Sequence, residues 1–169
     1  IITVCYNAGD KLYETIETAL KQTYDNFEIV IKDGLSKDDS LSKVPKDDKI
    51  FVYSSKDKGI YDAMNQATEK ITGDYVYFLN CGDSFYDENV LANVAKYIEE
   101  NPDKGIYYGD TFKESTVSYV PMPKKLTAFT CYRNIPCHQA CFNHNLACVP
   151  QVFTWIKYFW VCCQCLTNP

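Results

Sequence analysis

A chain of 169 residues is long enough for one domain with its own core, and at 46% hydrophobic and 15% aromatic it is globular rather than disordered. A net charge of −5 argues against a nucleic-acid backbone as partner, because such partners call for a basic face. All 22 carboxylates lie at or before Glu114, and only Lys124, Lys125, Arg133 and Lys157 carry charge beyond it, so carboxylate chemistry must come from the first two-thirds.

In chain order, strand-like and helix-like patterns alternate. IITVC (1–5) is an apolar β-rich run, read as a strand cut close to its start, with no signal peptide visible. Residues 11–22 place Leu12, Ile16, Ala19 and Leu20 on one helical face, with Asp10 as the predicted N-cap. FEIVI (27–31) is a strand, 34–48 a polar loop with at most a short helix, and KIFVY (49–53) another strand. Residues 59–71 repeat apolar side chains at Ile60, Met64, Ala67 and Ile71, and Gly73 is the predicted helix stop. YVYFL (75–79) is a strand. A helix over 87–100 is predicted to start on a capping Asp87 and to bury Val90, Leu91, Val94 and Ile98. GIYYG (105–109), TVSYV (116–120) and QACF (139–142) complete the predicted strands.

Such alternation means βαβ units: an α/β fold with a mostly parallel open sheet flanked by helices. In such sheets ligands bind outside the carboxyl ends of the strands. Here those ends read Tyr6-Asn7, Asp33-Gly34, Asp57-Lys58-Gly59, Asn80-Cys81-Gly82-Asp83 and Gly109-Asp110. Each Asp or Asn alone is a good turn residue or cap. Five at one edge point to a shared polar site. Carboxylates with little balancing charge repel one another unless a cation lies between them, and Mg²⁺ or Mn²⁺ takes oxygen ligands and completes its shell from phosphate or water. The chain has neither G-x-x-x-x-G-K-[ST] nor G-x-G-x-x-G after its first strand, so a metal-bridged diphosphate is the expected ligand rather than a P-loop or Rossmann nucleotide.

Of nine cysteines, seven lie at or beyond Cys131. CHQACFNH could bring Cys137, His138, Cys141 and His144 near a metal, but the spacing matches no common zinc pattern, and reduced thiols are the expected state. The stretch 152–163 is too short to span a bilayer and contains Lys157.

The motifs TVCYNAGDKLYETIETALKQTYDNFEIVIKDGLSKDDS, DKGIYDAMNQATEKITGDYVYFLNCGDSF, YGD and PCHQACF, in that order, resemble family 2 glycosyltransferases of the GT-A type, in particular bacterial enzymes building surface polysaccharides. The resemblance covers 1–145, a nucleotide-sugar-binding and catalytic domain, and stops at a hydrophobic, cysteine-rich tail over 146–169. A shifted reading frame, a truncated gene and a divergent tail all remain open for that tail.

The resemblance implies a nucleotide-sugar donor, most often a UDP-sugar, and a glycan or lipid-linked acceptor. It implies that Thr3, Tyr6 and Asn7 line the nucleotide pocket, that Asp33 hydrogen-bonds the base, that Asp57 sits near the nucleoside and that Asn65 supports its loop. The family's metal motif falls on Asn80-Cys81-Gly82-Asp83, with Asp83 as the metal ligand and Asn80 as a further nucleotide-sugar-binding residue. His138 matches an H-Q element near the diphosphate or acceptor; a histidine packed in a turn is the plain alternative. Such enzymes invert the anomeric centre with a carboxylate base from an acidic motif after the H-Q element. No acid stands there, which leaves Asp110 as the stand-in. A binding relic without its base is the competing expectation, and a response-regulator-like domain ranks below both, because Tyr6-Asn7 replaces the acidic pair it needs. Work in the cytoplasm or at the inner face of the membrane, with homo-oligomer or peripheral membrane contact through the tail, completes the expected picture.

Overall fold

The computed structural model describes residues 1–102, 104–122 and 140–144. The elements are β1 (Ile2–Cys5), α1 (Asp10–Leu20), β2 (Ile29–Asp33), β3 (Ile50–Ser54), α2 (Ile60–Thr68), β4 (Tyr75–Tyr77), α3 (Val90–Glu100), β5 (Ile106–Tyr108), β6 (Thr111–Lys113), β7 (Ser118–Val120) and β8 (Cys141–His144). β1, β2 and β3 pair in parallel. A parallel bridge from Ile2 to Phe78 lays β4 on the other side of β1. β8 then runs antiparallel between β4 and β5. The order is therefore β3-β2-β1-β4-β8-β5, with β8 alone reversed among these six. The carboxyl ends of β1 to β5 share one edge, as the alternating pattern requires.

β1 and β2 are buried throughout, as central strands covered on both faces must be. Their side chains alternate between two cores. One gathers Ile1, Cys5, Ile29, Ile31 and Leu79 under Leu12, Ile16 and Ala19 of α1 and Leu91 of α3. The other packs Ile2, Val4, Val30, Val76 and Phe78 against Ala63, Met64 and Ala67 of α2. Leu12 and Ile16 are wholly buried, each a contribution of about 1.5–3 kcal/mol.

Three predicted boundaries move. α1 begins on Asp10 itself, with Gly9 at the N-cap and no side-chain cap; the Asp10 carboxylate pairs with Lys43 instead, at 2.8 Å. α3 begins at Val90, and its Leu91 N–H is satisfied by Gln22 Oε1 of the α1–β2 segment at 2.9 Å, not by Asp87. The Asp87 carboxylate accepts the Asn89 N–H in the preceding turn, at 2.8 Å, and its carbonyl accepts Gln22 Nε2 at 2.6 Å. α2 ends at Thr68, so Gly73 lies beyond the helix rather than stopping it. Residues 116–120 yield a shorter strand, β7, hairpinned onto a β6 that the pattern does not announce. No described helix is long and apolar enough to cross a membrane. The 146–169 tail lies outside the described residues.

Candidate functional site

Asp33 closes the loop that follows β2. It is 1% exposed, and its carboxylate accepts the Leu35 N–H at 3.1 Å and the Ser36 N–H at 3.1 and 3.2 Å. Burial acts to raise its carboxyl. Hydrogen bonds from Ser36, Ser54 and Leu35 outweigh it and hold the group below its ordinary 3.8. A depressed folded value adds stability above 3.8, and that stability is lost as pH falls through the lower folded value. Asp33→Asn is therefore expected to be less stable than the parent near neutral pH. The gap should narrow below pH 3.8 in urea titrations followed by circular dichroism.

The neighbouring Lys32 is the largest fully buried side chain. Its Nζ donates to Asp33 O at 2.9 Å, Ser55 O at 2.7 Å and Asp57 Oδ2 at 3.0 Å. All three ammonium donors are thus used, which is what lets a lysine stay charged inside a protein. Lys32 fixes Asp57 between the β3 and α2 ends, and Asp57 Oδ1 accepts the Gly59 N–H at 3.1 Å. Gly34 makes the approach possible: a Cβ there would lie 2.9 Å from Asp57 Oδ2 and 3.3 Å from the Tyr6 ring. Sequence reasoning missed Lys32, although a lysine directly after the apolar IVI of a buried strand was its signal.

The loops after β1 and β2 are latched together. Asn7 adopts a left-handed φ of 48°. Its N–H donates to Ser36 Oγ at 2.8 Å, and its Oδ1 accepts the Lys37 N–H at 2.8 Å. Gly9 N–H donates to Asp38 Oδ2 at 2.9 Å. Tyr6, 63% exposed, stands beside this latch. Thr3 does not reach the rim: it is wholly buried inside β1, with no hydrogen-bond partner for its hydroxyl. Asn65 is half-buried on α2, and its carbonyl accepts the Thr68 hydroxyl at 2.7 Å.

The β4 end is tied to the same edge. Thr15, buried on α1, donates its hydroxyl to Asp83 O and accepts the Gly82 N–H, both at 2.9 Å. Asp83 N–H donates to Asn80 O at 3.0 Å, closing the turn. The Cys5 thiol lies 3.8 Å from Asp33 Oδ1 and beside Cys81; hydrogen bonding between the two thiols pushes the Cys5 pKa up and the Cys81 pKa down. Asp33, Cys5, Cys81 and the Asp83 turn therefore line up along one rim.

Beside this rim lies a cavity of about 930 Å³ whose wall includes Asp83, Tyr86, Asp110, Phe112 and Glu114. Asp83 and Asp110 follow different strands, β4 and β5, and both line this cavity. Asp110 is exposed, and its Oδ1 accepts the Met122 N–H at 2.7 Å. Asp33 does not line the cavity. A smaller hollow of about 530 Å³, against Ile1, Glu28 and Tyr75, lies at the opposite strand ends.

Among the described residues no three His, Cys, Asp or Glu side chains cluster to hold a metal. Asp83 offers one hard oxygen donor, which suits a cation that takes its remaining ligands from a diphosphate and water. Cys137 and His138 lie outside the described residues. Cys141 and His144 fall on β8, where Cys141 is buried and His144 meets the Tyr75 ring edge-on.

Residues 1–148 match the family model described as Glycosyl transferase family 2. The chain is 33% identical over 147 residues to a PGL/p-HBAD biosynthesis glycosyltransferase of Mycobacterium bovis, covering 84% of this chain and 57% of that protein. It is 34% identical over 102 residues to the Escherichia coli UDP-Glc:alpha-D-GlcNAc-diphosphoundecaprenol beta-1,3-glucosyltransferase WfaP, covering 59% of this chain and 40% of that one. The chain thus spans little more than half the length of the mycobacterial relative. Among solved structures, Staphylococcus aureus TarS 1-349 in complex with UDP-GlcNAc superposes with a TM-score of 0.68 at 20% identity, over 85% of this chain and 44% of that one. The Pyrobaculum calidifontis mannosyltransferase PcManGT, in complex with GDP-Man and Mn²⁺, superposes at 0.57 and 23% identity, over 64% and 34%. At these identities the likeness speaks for the fold, which is of the GT-A type.

Proposed function

The chain belongs to glycosyl transferase family 2, and on that premise we propose that it transfers a sugar from a nucleotide-diphosphate sugar to a glycan or lipid-linked acceptor. The donor in this reading is a UDP-sugar, and transfer inverts the anomeric centre. The observation that carries the proposal is that Asp83 and Asp110, from the ends of β4 and β5, line one cavity. The relatives lend weight: WfaP is named for a UDP-sugar and a diphosphoundecaprenol acceptor, and TarS was solved with UDP-GlcNAc. A lipid-linked acceptor would place the work at the inner face of the membrane.

The residues divide the task. Tyr6 offers an exposed ring to the nucleoside. Asp57, held by Lys32, presents a fixed polar edge beside it. Asp33 acts through the loop it closes, because its carboxylate is already committed to Leu35 and Ser36. Asp83 holds Mn²⁺ or Mg²⁺, a role in line with the Mn²⁺ named for PcManGT. When bound, such an ion offsets charge developing on a departing diphosphate. Asp110, on the same wall, takes the proton from the acceptor hydroxyl as it attacks the anomeric carbon from the face opposite the nucleotide.

The test is a thermal-unfolding scan of UDP and GDP with and without Mn²⁺. UDP with Mn²⁺ is expected to raise the midpoint more than either alone; equal shifts for all additions would overturn the donor assignment. Release of UDP from a UDP-sugar, measured with acceptor present, separates an enzyme from a binding relic.

A further inference from the structure

We propose that Tyr86, Phe112 and Tyr119 form a stacking platform for a neutral pyranose ring of the acceptor, an assignment that rests on the reading of the adjoining cavity as the transfer site. The three rings are 62%, 36% and 59% exposed, an unusual outlay of aromatic surface. Phe112 and Tyr119 face each other across the β6–β7 hairpin as register partners, 5.0 Å between ring centroids. Tyr86, three residues past Asp83, meets Phe112 edge-on at 5.6 Å and Tyr119 at 5.8 Å, and its hydroxyl is hydrogen-bonded to that of Tyr119. Two separate segments thus bring three rings together, one from the Asp83 turn and two from the hairpin that follows Asp110.

The surroundings select the ligand. Tyr86 and Phe112 line the same cavity as Asp83, Asp110 and Glu114, with Lys113 the one cation among its described lining residues. With Asp83 given over to a cation, Asp110 and Glu114 still outnumber Lys113, a balance that disfavours an acidic sugar beside the rings. An acyl chain would desolvate the carboxylates without pairing them. A neutral pyranose suits both halves: its C–H face lies on an aromatic ring, and its hydroxyls reach the tyrosine hydroxyls and carboxylates. Few polar groups set around an aromatic wall are the usual make-up of a site that fixes both position and orientation. A platform here would hold an acceptor sugar within the cavity that contains Asp110, the proposed base.

Saturation-transfer NMR on the full chain tests this, with the methyl pyranosides of glucose, galactose, N-acetylglucosamine and rhamnose as neutral probes. Glucuronate serves as the anionic probe and dihexanoylphosphatidylcholine as the lipid one. Ring C–H protons of at least one neutral probe should receive saturation. Phe112→Leu and Tyr119→Leu keep apolar bulk but remove the flat ring, and each should weaken that binding about fivefold or more. The UDP–Mn²⁺ thermal shift should stay at the parent value in both variants, which also reports that they are folded. Equal binding by parent and variants, no saturation of any neutral probe, or stronger binding of glucuronate or the lipid would each overturn the platform. A ring-dependent pyranoside signal without any UDP shift would uphold the platform and remove the donor reading instead.

Discussion

Lys32→Met is expected to lower the unfolding free energy by about 3 kcal/mol, the cost of removing one partner from a buried ion pair. The lysine side chain is only 2% exposed, and that of Asp57 is 18% exposed. Methionine fills the aliphatic path but removes the charged donor that the Asp57 carboxylate shares with the Asp33 and Ser55 carbonyls, and leaves Asp57 without its counter-charge. Water can reach part of Asp57, which holds the cost toward the lower end of the range for buried pairs. Denaturant unfolding of Lys32→Met, Asp57→Asn and the double variant measures the pair directly. The double variant should cost less than the sum of the singles by about 1–2 kcal/mol. A strictly additive pair, or a loss for Lys32→Met within about 0.5 kcal/mol, would show that the buried lysine does not hold the β2 and β3 ends together. Because the same contact orients Asp57, Lys32→Met should also weaken UDP binding.

Asp83→Ala is expected to abolish the extra stabilisation that Mn²⁺ adds to UDP while leaving the fold intact. At ligand about a hundredfold above its dissociation constant, binding to the native state adds about 2.7 kcal/mol. For a domain of this size that corresponds to roughly 5–10 °C in the thermal midpoint. The side chain lies on the cavity wall rather than in either hydrophobic core, so the unliganded midpoint should move little. The backbone contacts that set the turn, Thr15 to Asp83 O and Asp83 N–H to Asn80 O, survive the change. A variant that responds to UDP and Mn²⁺ as the parent does would remove Asp83 from the metal. The wider consequence would be that the cation, if bound, is held by Asp110 or Glu114 on the same wall.

Much of the site was legible because it depends on position along the chain. A strand buried on both faces must give up its polar residues where it leaves the sheet, so Asp33, Asp57, Asp83 and Asp110 could be read at one edge from order alone. Other features were not legible. Asp33 carries a cap-like carboxylate, but whether it faces a ligand or its own loop depends on where Leu35 and Ser36 fold back. Asp10 and Asp87 look like caps by type and spacing, yet Lys43 and Gln22, distant in sequence, take over the available partners. Thr3 fits the resembled motif, and only the packing around β1 shows that it is wholly buried. The β6 strand, and with it the hairpin onto β7, escapes notice because at three residues it is too short for a period to show.

By itself the sequence determined the alternation of elements, the two apolar faces of β1 and β2, and hence the edge at which a ligand could bind, since these follow from local periodicity. Only the tertiary structure decided that β8 inserts between β4 and β5, that Lys32 reaches Asp57, and that Asp83, Asp110, Tyr86 and Phe112 share one cavity. Those outcomes depend on contacts between residues tens of positions apart, and no local pattern encodes which distant partner a side chain will meet.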